Sequence, residues 1–188
     1  MPPGGLSVSR ISTRETLSEI APSLKLILAR INQGVTGLAA GPGGVLYVAS
    51  PSAIYKVRMG TVSTFLEPVV CNDCDPDPAD HIPSNPLPYL RGLTVDSNGT
   101  VYAAATSCHR VLKITPTGHV ETFLKTERPW SPTGVALHDG AVYVLEYTGA
   151  NGGQDEGWLP RVRKVGADGK VSTLVTLSEK GGHSAGDK

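Results

Sequence analysis

The chain has 188 residues, and its 17 Lys plus Arg balance 17 Asp plus Glu, so its formal net charge is zero. No basic run interleaved with aromatics marks a nucleic-acid surface, and no stretch reaches the ~18 to 20 consecutive apolar residues of a membrane span. With 22 Gly and 15 Pro, the composition is poor for a helical protein and ordinary for many strands joined by turns.

In chain order, Val8-Ser9-Arg10-Ile11 and Leu17-Ser18-Glu19-Ile20 are the first predicted strands, followed by an extended crossing segment around Leu24 to Ile31. Four runs then follow in close order: Val35-Thr36-Gly37-Leu38, Val45-Leu46-Tyr47-Val48, Ile54-Tyr55-Lys56-Val57 and Val62-Ser63-Thr64-Phe65. After an insert from Glu67 to Tyr89, a second set runs from Leu90 to Val95, Val101 to Ala105, Val111 to Ile114 and Val120 to Leu124. A third set opens at Pro132-Thr133-Gly134-Val135 and continues through Val142 to Val144, Val162 to Val165 and Val171 to Leu174. Each run is β-branched or aromatic, too short for a helix and bounded by Gly, Pro or polar residues. Turns such as Ser97-Asn98-Gly99 and Thr115-Pro116-Thr117-Gly118 supply hairpin chemistry.

The sets repeat in register. From opening Gly to second-strand Tyr the separations are ten, ten and nine residues, for Gly37 to Tyr47, Gly92 to Tyr102 and Gly134 to Tyr143. A recurring four-stranded unit of roughly 40 to 50 residues is the signature of a propeller blade. The expected fold is all-β, a β-propeller of four-stranded antiparallel blades. The predicted units are a half blade at 6–21, blades at 35–67, 90–125 and 132–177, and a flexible tail at 178–188. That is about three and a half blades, whereas closed propellers have ~4 to 8. The chain is therefore expected to be part of a larger propeller or to self-associate to complete the ring.

The recurring Gly-Leu-Ala/Thr opening, Val-Tyr-Val/Ala, hydrophobic-Lys pair and Val-x-Thr-Phe resemble the NHL-repeat propellers and the gluconolactonase and senescence-marker-protein group. The resemblance covers roughly residues 6–177 and implies a six-bladed ring. It extends to lactonases, other hydrolases, lyases and binding modules, so it fixes no activity. In the lactonase subgroup it implies one divalent cation near the axis, held by Glu, Asn and Asp side chains. Glu146 and Asn151 stand where such ligands would fit, without a complete set.

Meander connectivity sends the second-to-third loops and the blade exits to one face. The long inserts, Glu67 to Tyr89 and Tyr147 to Pro160, both belong there, with Ser107-Cys108-His109-Arg110 and Arg128-Pro129-Trp130-Ser131. Long loops on a rigid scaffold are where binding concentrates. The candidate ligand-binding residues on this face are Glu146, Tyr147, Trp130, His109 and Arg91. Trp130 and Trp158 are expected in loops, stacking on a ligand or capping the gap between blades. Glu146 replaces small residues of the other copies, so it is expected to meet a ligand or to pair with Arg161 or Arg163.

The first insert holds Asp73, Asp75 and Asp77, whose carboxylates suit calcium. Cys71-x-x-Cys74 with Cys108 and His81 or His109 could form a zinc site; a disulfide between two of the three cysteines competes with it. The candidate metal ligands are Cys71, Cys74, Asp75, Asp77, His81 and Cys108. Two functions follow. One is a binding module for a small molecule or protein ligand; the other is a metal-dependent lactonase or esterase with a calcium or zinc ion.

Overall fold

The computed structural model describes residues 34–67, 69, 87–148 and 159–176, and within them every strand falls in one of three sheets. The first comprises β1 (Gly37–Ala40), β2 (Leu46–Ala49), β3 (Ile54–Arg58) and β4 (Thr61–Leu66). The second comprises β5 (Leu90–Val95), β6 (Val101–Ala105), β7 (Arg110–Ile114) and β8 (Val120–Lys125). The third comprises β9 (Trp130–His138), β10 (Ala141–Thr148), β11 (Leu159–Val165) and β12 (Val171–Thr176). Each is an antiparallel meander in which strands neighbour one another in chain order. Residues 6–21 and the tail at 178–188 lie outside the described residues. No helix among the described residues is long and apolar enough to cross a membrane.

Period-two patterning explains why the sheets stack face on face. Tyr47, Ala49, Ile54 and Leu66 of the first sheet share a buried cluster with Leu93, Val101, Ala103 and Leu112 of the second. On the second sheet's opposite face, Val111 and Leu124 pack with Val142, Val144 and Val165 of the third. The second blade is thus apolar on both faces and sandwiched, the arrangement of successive propeller blades.

The inner strands β1, β5 and β9 approach one another at their opening glycines. A methyl group on Gly92 would sit 2.7 Å from the Gly134 Cα and 3.0 Å from the Thr133 carbonyl oxygen. One on Gly37 would strike the Arg91 carbonyl oxygen. Glycine stands at these positions because backbone meets backbone there.

A second repeated device lies further out. Tyr47 pairs with Lys56, Tyr102 with Lys113 and Tyr143 with Lys164 in the β2–β3, β6–β7 and β10–β11 ladders. In the fourth strands, register shifts leave Phe65, Phe123 and Leu174 as extra residues in β-bulges. A bulge re-aims its side chain. Phe65 accordingly meets Tyr47 edge-on at 5.2 Å between centroids, and Phe123 meets Tyr102 at 4.9 Å. Lys56 lies over the Phe65 ring at 4.0 Å. In the third blade the aliphatic Leu174 is 54% exposed, and Lys164 covers Tyr143 alone.

Two outcomes are expected. Gly92→Ala loses about 1–3 kcal/mol of stability from overpacking, read from its urea midpoint; an unchanged midpoint contradicts the close approach. Burial first, and the charge of Asp96 second, push the Tyr47 phenol above its ordinary value of 10.0. The folded state therefore favours the protonated phenol. Its contribution is complete below the unfolded value and is lost as pH rises through the higher folded one. Ultraviolet titration of the wild type against Tyr47→Phe is expected to assign a late-ionising phenol to Tyr47.

Candidate functional site

Three connectors at one end of the blades lie wholly or partly within the described residues: Ser50 to Ala53, Thr106 to His109 and Thr126 to Pro129. Backbone bonds tie them within and between blades. Leu90 N–H donates to the Pro51 carbonyl (2.9 Å), and Thr106 N–H donates to that of Tyr89 (3.2 Å). The Thr106 hydroxyl reaches the Pro132 carbonyl of the third blade at 2.8 Å. The end is rigid because its buried polar groups bond across blades.

The third blade carries a charged cluster at this end. Glu146 lies in β10 on the face that also carries Val142 and Val144, directly opposite Arg161 of β11 and one step diagonal to Arg163. Its side chain is completely buried. The Arg161 Nε donates to one carboxylate oxygen, and Arg163 donates to the other through Nη2 and through Nε at 3.0 Å. Two guanidinium groups thus occupy both oxygens. The cost of burying the carboxylate is met by paired, hydrogen-bonded charges. The Arg161 guanidinium also lies 4.3 Å from the centroid of the Trp130 ring.

Trp130 opens β9 and pairs with Thr148, so it is a strand residue and not the loop residue anticipated. Tyr147 likewise lies within β10, between Ser131 and Pro160. The third blade's ladders run further toward this end, where the Glu146–Arg161 pair bridges β10 and β11. Pro160 is accommodated because the β11–β12 ladder spans Arg161 to Val165, so no bond to β12 requires its missing N–H.

His109 is buried at the end of a short 3-10 turn, in the left-handed region with φ 48°. Its Nδ1 lies 3.0 Å from the Trp130 carbonyl and 3.2 Å from the Ser131 hydroxyl. A carbonyl only accepts, so Nδ1 carries the hydrogen and ties the second blade to the third. Cys108, beside it, is disulfide-bonded, and in that state its sulfur offers no thiolate to a cation. Arg91 stands apart from the cluster, exposed at a bulge of the inner strand β5. Its guanidinium makes no ion pair or hydrogen bond among the described residues.

The structure therefore brings Glu146, Trp130 and His109 together with Arg161 and Arg163. Cys71, Cys74, Asp75, Asp77, His81, Asn151 and Trp158 lie outside the described residues. Among the described residues, no three His, Cys, Asp or Glu converge to hold a metal. Thr106 and Thr126, whose hydroxyls bridge to Pro132 and Trp130, were not singled out from sequence. Single threonines beside strand ends carry no distinguishing pattern.

Glu146→Gln is expected to destabilise the fold by about 3–5 kcal/mol, because it leaves two largely buried guanidinium groups without a countercharge. Chemical denaturation measures this. A variant of unchanged stability that loses bound metal would instead identify Glu146 as a cation ligand.

No family model and no curated protein matches the chain. Solved structures do. A gluconolactonase from Xanthomonas campestris, described as important in glucose secondary metabolism, aligns with TM-score 0.55 at 13% identity over 78% of this chain and 48% of its own. A streptogramin B lyase aligns with TM-score 0.52 at 16% identity over 76% of this chain and 41% of its own. The chain thus spans less than half the length of either. Three stacked meanders with glycine-lined inner strands, superimposing on these enzymes, give the chain the fold of the gluconolactonase-like β-propellers.

Proposed function

We propose that the chain is a propeller binding module that holds a small anionic, polyhydroxylated ligand at its loop-bearing end. The observation that carries this reading is Arg91. An exposed guanidinium on an inner-strand bulge, without a partner among the described residues, is placed to bond a carboxylate in two parallel contacts. Glu146 is not free for such work, since both its oxygens are committed to Arg161 and Arg163. The Thr36 and Thr133 hydroxyls, which like Arg91 directly precede the opening glycines, bond the Ala49 and Leu145 carbonyls at 3.3 and 3.4 Å.

A second reading is favoured by the likeness to a gluconolactonase. There the chain supplies part of a metal-dependent lactonase, in which a calcium or zinc ion would polarise the lactone carbonyl. Asp75 and Asp77 are its candidate oxygen ligands, outside the described residues.

Gluconate, a carboxylated polyol, tests the first reading. Titration calorimetry is expected to show saturable binding that Arg91→Gln weakens about tenfold, the loss of one charge-assisted contact. Binding that ignores Arg91→Gln removes this site. Acid release from glucono-δ-lactone that depends on added calcium or zinc selects the second reading.

A further inference from the structure

A second feature lies on the flank of the second blade and is independent of Arg91. A cavity of about 680 Å³ opens where β7 begins and β8 ends, lined by Cys108, Arg110, Lys125, Thr126, Glu127 and Arg128 among others. Its volume falls in the ~300–1,000 Å³ range of small-molecule sites. Arg110 and Lys125 both line it, although the chain as a whole is neutral.

The arrangement of those charges is unusual for a sheet. Arg110 and Lys125 lie directly opposite each other in the β7–β8 ladder. Like charges across an antiparallel pair repel. Further along the same ladder, three residues on in β7 and four back in β8, Lys113 faces Glu121, and the two form an ion pair of 2.7 Å. The hairpin therefore neutralises charge at one end and concentrates it at the other. Arg110 donates through Nε to the Cys108 carbonyl at 3.1 Å, a neutral partner. Neither Arg110 nor Lys125 has a carboxylate partner among the described residues.

The walls are preformed. Thr126 N–H donates to the His109 carbonyl at 2.8 Å, and its hydroxyl donates to the Trp130 carbonyl at 2.8 Å. A ligand entering such a cavity need not order it first.

We propose that this cavity is a binding site for a compact multivalent anion, whose negative charge resolves the Arg110–Lys125 repulsion. Carboxylate and phosphate share the chemistry, so citrate and pyrophosphate are the two probes and glycerol is the neutral control. Titration calorimetry at low salt is expected to show one saturable site per chain for at least one anion and none for glycerol. Lys125→Gln and Arg110→Gln each weaken that site about tenfold, and added salt weakens it further. Arg58→Gln, the loss of an exposed charge in the first blade, leaves it unchanged. Tighter citrate binding marks a carboxylate ligand and tighter pyrophosphate binding a phosphate ligand; either order supports the site. The proposal is overturned by no saturable binding of either anion, by equal binding of glycerol, or by affinity that survives Lys125→Gln. Lys125 is exposed, so that variant decides the matter even if Arg110→Gln fails to fold. Because Arg91 and gluconate play no part, this site can fail without bearing on the one at Arg91.

Discussion

Strands from different sheets can run side by side only if their backbones can approach, and everything else in this protein rests on two positions that permit it. Gly37, against the Arg91 carbonyl oxygen, and Gly92, against the Gly134 Cα, let β1, β5 and β9 converge. Once the inner strands are close, the outer ones must fan apart, and the wedge between sheets fills with the larger side chains of β2, β3, β6 and β7. The connectors at one end are then near enough to exchange backbone hydrogen bonds. The polar groups of that end inherit their positions from a steric condition at the inner edge of each blade.

Much of this was legible because repetition multiplies weak signals. A single Val-Tyr-Val or Val-x-Thr-Phe means little, whereas three copies in register give the strand order within each blade and the packing role of Tyr47 and Tyr102. Strand ends were less legible. The third blade extends past its repeat where Glu146 meets Arg161; that partner was among those expected, but local patterning does not say that the ladder continues beyond it. Trp130 enters a strand in the same extension, opposite Thr148. The role of Phe65 and Phe123 was likewise visible only as a recurring residue; the bulge that turns each toward its tyrosine arises from a register shift, which composition does not reveal.

The site was readable in its members more than in their roles. Glu146 stood out because its counterparts in the other copies are small and neutral, and both of its possible roles, ligand or ion pair, were apparent. Geometry decides between a carboxylate with vacant oxygens and one held by two guanidinium groups. His109 was a candidate for its chemistry alone, yet its Nδ1 bonds a backbone carbonyl and makes it a strut between blades. The Arg110–Lys125 pair could have been counted outward from the Thr115-Pro116-Thr117-Gly118 turn, had the extra residue at Phe123 been known.

The bulges have a bearing on how copies of this molecule meet one another. β4, β8 and β12 are the outer strands, and each offers a row of backbone groups along its free side. A flat row of that kind is a template on which another chain can polymerise. Interrupting each row with one extra residue breaks its spacing and twists it, so a straight incoming strand cannot match it along its length. The residue that completes the aromatic packing of the first two blades also spoils the fit of a would-be fibril partner.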